Sequence, residues 1–467
     1  MMLLKMNNMT HWMKYWKLFV RERRNLPAGR QATCQMLTSH VSRFTPGLVL
    51  VMVLFCSCRK SLTVPQENST VEDGYYQSAQ RIQQAVIGGY VDLRRALLAD
   101  YAWMMYGEAR AGDLKVEVAF QSRVADQDLT AADQNLGQLS DWGYFYDVIK
   151  DAGDVLDIID GAEEGVLSSY QRNVYRGEAL ALKSMAYFYL ARIWGSVPSA
   201  EKNNFGSRLT GEEAITQAMT WATEAQKLLP WILLNDDGIE SAALTAVRFN
   251  KTAVTQLLAQ EALWLNNGQS AYDLLTNTFT GNATDSLSGF GLAIGEDRRT
   301  DIPQAPLSAG ILSMPLATFN AIYPDGDARR GSMFNISGNS ATLIVQDASK
   351  VELLPVREIN LLFAEAAWRS ERLEEAKEWL ITAANGATED YSILTEGTFG
   401  EALLLERQRM LVGTGQRMFD LIRFGEVSTY IPVFTEADVT NGAAYWPLSA
   451  NSIRGNGWSQ NAYWAIP

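Results

Sequence analysis

The chain has 467 residues, 20% of them charged, and both histidines (His11, His40) and two of its three cysteines (Cys34, Cys56) lie before residue 58. Residues 1–57 hold 8 of the 40 Lys and Arg but 1 of the 53 Asp and Glu, so residues 58–467 carry 32 against 52, a net charge of −20. Beyond residue 57 this excludes imidazole or thiolate zinc sites, Ser-His-Asp and Cys-His nucleophiles and disulfide frameworks. It also argues against nucleic acid, whose phosphates need a basic face, and favours a neutral or cationic ligand or a basic partner protein.

Gly47–Cys58, GLVLVMVLFCSC, is an apolar run that stops at a cysteine, with Arg43 just before it. The stretch Leu48–Phe55 is far shorter than the roughly 20 apolar residues that cross a hydrocarbon core, and its flanks are those of a secretory signal. The layout is that of a bacterial lipoprotein signal. Cleavage before Cys58, after the small Ser57, would leave Cys58 as a lipidated amino terminus whose several acyl chains anchor stably. Residues 1–57 are therefore expected to be a leader and cleaved signal, with Met36 as the start that would give a signal of ordinary length. Residues 58–77 are polar and aperiodic, which suits a flexible leash.

Order is expected from about Ala79, and residues 78–467 read as a single body. Apolar residues recur at helical spacing over Ile82–Leu98, Trp142–Ile159, Arg176–Trp194, Glu212–Leu229, Thr252–Asn266, Ala271–Asn277, Glu358–Ser370, Leu373–Ala384 and Glu401–Phe424. AQEALWLNNGQSAYDLL from Ala259 and AEAAWRSERLEEAKEWL from Ala364 share Ala at the first, fourth and thirteenth positions and Leu at the last. Small residues so placed let two helices approach across a short turn, as in a tetratricopeptide-type hairpin. The N-terminal helical part, 78–277, is followed by a loop-rich insertion, 278–350, in which Ala341–Gln346 is the best strand. That insertion is either a ligand or partner surface or a mobile segment. The C-terminal part is 351–467.

Three features invite chemistry. Gly413-Thr414-Gly415 lacks the strand and the lysine-serine pair of a phosphate loop and reads as a turn between packed helices. Asn235-Asp236-Asp237-Gly238 and Asp325-Gly326-Asp327 offer oxygens of the kind calcium accepts, but neither has full loop spacing and turn chemistry accounts for both. No cofactor is therefore expected, with calcium the one candidate. The aromatic stretch ADYAWMMYGEARAGD offers Tyr101, Trp103 and Tyr106, with Arg110 and Asp113 following, as a platform for pyranose C–H faces. Trp and Tyr at this spacing also suit an ordinary core.

The C-terminal third carries motifs in a recognisable order. PVREINLLFAEAAW from Pro355 places Glu358 before Ala364-Glu365-Ala366; ERQRMLVGTGQRMFDLIRFG from Glu406 supplies Arg407, Gly415, Arg417, Asp420, Leu421 and Arg423; and YWPLSANSIRGNGWSQNAYW supplies Trp446, Pro447, Asn456, Gln460, Asn461 and Tyr463. Together these resemble the SusD/RagB family of nutrient-uptake outer-membrane lipoproteins. Weaker echoes are Gly107–Asp113, the Trp142–Ile159 helix, Tyr189–Pro198 and Asp327-Ala328-Arg329. The chain departs from the family pattern at Pro355, Met410, Thr414 and Gly457. Met410 and Thr414 stand where acids are usual, which would thin a buried ion-pair network.

The resemblance implies a mainly α fold, a SusD-like right-handed helical scaffold with tetratricopeptide-like helix pairs plus a loop-rich region with few short strands. It implies a non-enzymatic, cell-surface lipoprotein of the outer membrane that binds a nutrient, an oligosaccharide or a peptide, and delivers it to a TonB-dependent barrel transporter. It places ligand contacts near Tyr101, Trp103, Tyr106, Arg110 and Asp113 and gives the C-terminal motif residues structural roles. The alternatives are a peptide-binding helical-repeat scaffold and a glycoside hydrolase using carboxylates alone, the one hydrolytic chemistry open to a histidine-free acidic body.

Overall fold

Helix α1 (Ala79–Leu98) begins where helical periodicity begins, burying Ile82, Val86, Leu93 and Leu97 on one stripe. In this computed structural model the described residues are 78–116, 118–130, 133–201, 204–279, 287–294, 312–385, 387–453 and 458–465, and all fall within one compact unit. Cys58, the proposed signal and the leash lie outside them. None of the described helices is long and apolar enough to cross a membrane.

Two short helices, α2 (Ala102–Tyr106) and α3 (Glu108–Ala111), follow α1, where the periodicity predicts none. The expected long helices come next: α4 (Gly143–Gly161), α5 (Ser169–Trp194), α6 (Gly211–Leu228), α7 (Lys251–Trp264) and α8 (Gly268–Phe279). Their starts are written in the sequence. Ser168 with Gln171 and Thr210 with Glu213 form reciprocal capping boxes, and Asn250 Oδ1 accepts from the Ala253 N–H. Each of α4 to α8 packs on the next, α1 packs on α4, and α8 packs on α9 (Glu358–Arg369), which pairs with α10 (Leu373–Ala383).

The two matching segments are α7–α8 and α9–α10, and their shared residues all lie in the interior: Ala259, Ala262, Ala271 and Leu275 against Ala364, Ala367, Ala376 and Leu380. Their turns are also equivalent. Asn266 (φ 56°) and Glu371 (φ 61°), each eighth in its segment, are left-handed. The next residue closes the turn on the fourth alanine, Asn267 N–H to Ala262 O at 2.9 Å and Arg372 N–H to Ala367 O at 2.9 Å. A Cβ on Gly268 would lie 2.5 Å from Arg369 Cβ, so glycine lets the second helix of one pair abut the first helix of the next.

The 278–350 region carries few and short strands, as expected. β4 (Phe290–Ala293), β5 (Leu312–Pro315), β6 (Phe334–Ser337) and β7 (Ser340–Leu343) are each four residues long. They are tied to flanking parts of the chain: β1 (Lys115–Val116) pairs with β5 in a sheet ordered β1-β5-β7-β6, and β4 pairs with β8 (Lys350–Leu354). A separate hairpin joins β2 (Val197–Glu201) and β3 (Asn204–Leu209). The Glu401–Phe424 stretch divides into α11 (Glu396–Met410) and α12 (Arg417–Phe424), and the Gly413–Gly415 turn lies between them.

Candidate functional site

α1 ends at two consecutive left-handed residues, Asp100 (φ 51°, ψ 25°) and Tyr101 (φ 57°, ψ 38°), neither of them glycine. Each such residue costs about 1–2 kcal/mol, and strain of this kind persists only where the surroundings impose it. Asn135 Nδ2 donates to Asp100 Oδ1 at 2.9 Å, and Asn135 is itself fixed because Asp133 Oδ1 accepts from its backbone N–H at 2.8 Å. The Tyr101 ring is left partly exposed, 5.7 Å from the Trp103 ring.

The next residues turn inward. Trp103 and Tyr106 are 1% and 3% exposed. Trp103 Nε1 donates to Gly413 O at 3.2 Å, and the Tyr106 hydroxyl donates to Leu139 O at 2.9 Å while its ring meets Trp446 edge-on at 5.2 Å. The Arg110 guanidinium is buried with no carboxylate partner: it donates to the carbonyls of Ala443 (2.6 Å), Ala444 (2.5 Å) and Tyr445 (3.3 Å) and to Gln127 Oε1 (3.1 Å). Burial lowers it to about 9. Asp113 Oδ2 accepts from Arg417 Nε at 2.8 Å and Gln408 Nε2 at 2.9 Å.

Of these five, Trp103, Tyr106 and Arg110 are buried, Asp113 is engaged by Arg417 and Gln408, and Tyr101 alone keeps a partly exposed ring. The other four clamp α2 and α3 onto the C-terminal part. The spacing argument failed because α1 breaks at Asp100, which puts Tyr101 on a different element from Trp103 and Tyr106. Glu108, which sequence reasoning passed over, completes the clamp: its Oε1 accepts from the N–H groups of Gly413 (3.1 Å) and Gly415 (3.0 Å), and burial pushes its carboxyl up to about 8. The turn needs its glycine, since a Cβ on Gly415 (φ 81°) would lie 2.6 Å from Trp103 O.

The C-terminal motif residues assemble as a buried ion-pair chain. Arg407 bridges Glu358 (2.8 Å) and Asp420 (3.0 Å), Arg423 bridges Asp420 (2.8 Å) and Glu365 (2.9 Å), and Arg369 closes on Glu365 (2.9 Å). Glu406 belongs to a second cluster, with Arg329 at 2.5 Å, Arg409 at 2.6 Å and the Tyr391 hydroxyl at 2.6 Å. Arg407 Nη1, Arg417 Nη2 and Arg423 Nε are buried with no hydrogen-bond partner among the described residues, in the motif where Met410 and Thr414 stand in place of acids. Arg357 pairs instead with Glu352 and the Met410 carbonyl. Gln460 exchanges hydrogen bonds with both backbone groups of Leu448, and Asn461 Nδ2 donates to Gly442 O. Asn456 lies outside the described residues.

The two oxygen clusters behave as turns. Asn235 Oδ1 accepts from the N–H groups of Asp237 and Ile239, and Asp327 is held by Arg329. Among the described residues no group of three or more His, Cys, Asp or Glu side chains is arranged to hold a metal ion. A shallow groove of about 490 Å³ runs along α6, lined by Thr210, Glu212, Glu213, Thr216, Gln217 and Thr220, but the Thr216 and Thr220 hydroxyls donate to carbonyls of their own helix.

The surface around Tyr101 is better furnished. Burial raises the Tyr106 hydroxyl well above its ordinary value, with smaller contributions from the charges of Asp141, Tyr144 and Asp100. The Arg95 guanidinium lies over the Tyr144 ring at 4.5 Å. At the end of α1 the partly exposed Tyr101 thus follows Asp100, whose carboxylate is held by the Asn135 amide of the 134–139 helix.

A family model described as SusD-like, starch-binding associating with outer membrane, matches residues 78–263. A SusD-like protein of Bacteroides ovatus is 29% identical over 160 residues, 32% of this chain and 27% of that relative, so the chain spans about a quarter of the relative's length. A SusD homolog from Bacteroides thetaiotaomicron superposes with a TM-score of 0.70 at 18% identity, covering 84% of this chain and 100% of the other. Surface glycan-binding protein A from the same organism, solved with laminarihexaose, gives 0.61 at 17% identity over 82% and 99% of the two chains. The helical hairpins are thus those of a SusD-like fold, shared over more than four-fifths of the chain, and residues 78–263 are similar in sequence to the SusD-like family.

Proposed function

We propose that this protein is a surface lipoprotein of the outer membrane that captures an oligosaccharide and passes it to a TonB-dependent barrel transporter without chemical change. Tyr101 is the contact platform. Its ring would offer a flat apolar face to pyranose C–H groups, and the neighbouring Asp100, held by Asn135, would accept hydrogen bonds from hydroxyls. The observation that carries the reading is the left-handed Asp100–Tyr101 pair, a strained backbone that leaves the Tyr101 ring partly exposed while Trp103 and Tyr106 are buried. Binding of laminarihexaose by a structural relative of the same fold supports a glycan as the ligand class. A lipid on Cys58 and the 58–77 leash would keep ligand and transporter at high effective concentration.

Affinity electrophoresis over a polysaccharide panel tests the site. Wild type is retarded by at least one glycan and Tyr101→Ala is not, whereas equal retardation of both removes Tyr101 from the site. Recovery of a large barrel from a detergent extract tests the transporter partnership, and release of reducing ends from the retained glycan would overturn the non-enzymatic reading.

A further inference from the structure

After α12 and the left-handed Gly425 the chain forms a short helix, Val427–Tyr430. Val427 at its start and Ile431 just beyond it are buried in an apolar cluster with Leu404, Met418 and Phe434, which fastens the segment at both ends. Tyr430 is nonetheless 38% exposed. The Arg417 guanidinium lies over its ring, 4.7 Å from the centroid, so one face of the ring is covered and the exposure belongs to the rest of it. Arg417 is itself held, with Nε donating to Asp113 Oδ2 at 2.8 Å and Nη1 to the Leu404 carbonyl at 3.5 Å. One planar guanidinium therefore links the aromatic ring to the Asp113 carboxylate and fixes their separation. Gln408 Nε2 donates to the same Oδ2 at 2.9 Å, which brings its amide to the carboxylate as well. Among the described residues no hydrogen bond falls on Asp113 Oδ1, on Gln408 Oε1 or on the Tyr430 hydroxyl, and the Asp113 side chain keeps 17% exposure.

A flat ring with an uncovered face, beside acceptors for hydroxyl groups, is what a pyranose requires. Charge within the cluster is matched, one carboxylate against one guanidinium, which suits an uncharged guest. A ring already stacked on a fixed cation also loses little rotamer freedom when a ligand settles on it. We propose that Tyr430, with Asp113 and Gln408, is a second sugar-contact site; this rests on the glycan reading of the protein but on none of the residues assigned at Tyr101. Two such contacts let one polysaccharide engage the body twice, the second time as an intramolecular event.

The test compares the exported form of the protein from residue 59 with Tyr430→Ala, Tyr430→Trp, Tyr101→Ala and the double variant Tyr101→Ala/Tyr430→Ala. Affinity electrophoresis uses laminarin, starch and galactomannan, and titration calorimetry uses laminarihexaose and maltohexaose. Tyr430→Ala should weaken binding of at least one retained glycan roughly three- to tenfold. Tyr430→Trp, which keeps a ring over Arg417, should restore it, and the double variant should lose more than either single one. In wild type, the Arg417 Nε–H resonance and the ring protons of Tyr430 should shift as the hexasaccharide is added, a readout that needs no variant to fold. If Tyr430→Ala binds every probe as wild type does and neither resonance moves, the second site is overturned while capture at Tyr101 stands. If Tyr430→Ala keeps its glycans but no longer recovers a barrel from detergent extract, the face belongs to a protein partner and the sugar assignment is overturned. If wild type binds no probe, the glycan reading falls and this site with it.

Discussion

Glu261 offers a direct test of how this interior handles charge. It lies in the last turn of α7, fully buried, with Oε1 accepting from Ser184 Oγ at 2.7 Å and Oε2 without a hydrogen-bond partner among the described residues. Burial pushes its carboxyl from 4.5 up to about 8, only partly offset by the Ser184 hydrogen bond and the Arg192 charge. Between those two values the folded state retains a proton that the unfolded chain has released. Stability from this group is therefore complete below pH 4.5 and lost as pH rises to about 8. At about 1.4 kcal/mol per pH unit the loss across that window is roughly 3–5 kcal/mol. Glu261→Gln keeps the acceptor for Ser184 and removes the titration. Denaturant midpoints measured from pH 5 to 8 should show the variant near wild type at pH 5 and progressively more stable than wild type towards pH 8. Glu108, pushed up to about 8, and Asp151, to about 7, tilt both curves alike and drop out of the difference. A difference that stays constant from pH 5 to 8 would show that Glu261 is ionised throughout and would refute the reasoning.

Arg407→Met should cost roughly 3–5 kcal/mol, seen as a lower melting temperature, because it strands the buried carboxylates of Glu358 and Asp420; adding Glu358→Gln and Asp420→Asn should recover part of it. Gly415→Ala should destabilise well beyond the roughly 1–2 kcal/mol of a left-handed alanine, since its Cβ would meet Trp103 O at 2.6 Å. Gly425→Ala, equally left-handed at φ 76° but with nothing within 4 Å, should show the conformational cost alone. Asn135→Ala should weaken glycan retention with little change in melting temperature, because it releases Asp100 beside a partly exposed Tyr101.

Elements built from local spacing were legible. The stripe of α1, the caps of α5 and α6 and the alanine register of the two hairpins follow from residues within a few positions of one another, and all appear where the sequence puts them. The strands were not, because each of β4 to β7 spans four residues and their partners lie far away, as Lys115 does from Ser313. The geometry of the candidate site was half legible: the aromatic cluster drew attention to the segment, but nothing in ALLADYAW, which has neither glycine nor proline, announces that the helix breaks there. Asn266 and Glu371 show the same limit, since two unlike residues occupy one left-handed turn position. Neither Glu108 nor Glu261 could be singled out among 53 acids, because what distinguishes them is burial imposed by helices distant in the chain.

The same burial explains where the protein's excess charge must act. Among the described residues nine acids and eight arginines are buried, so the interior is close to electrically balanced. Much of that balance is local: Glu358, Glu365 and Asp420 are interleaved with Arg407, Arg423 and Arg369, and Glu178 is matched by Arg248. Pairing of this kind is what makes buried charge tolerable, since removing one member leaves an uncompensated ion. The C-terminal motif is thus charge spent on holding α9, α11 and α12 together and is unavailable for recognition. With the interior near neutrality, almost none of the −20 charge of residues 58–467 is hidden inside the described body. That charge therefore lies on the surface, where it repels anionic partners approaching the protein.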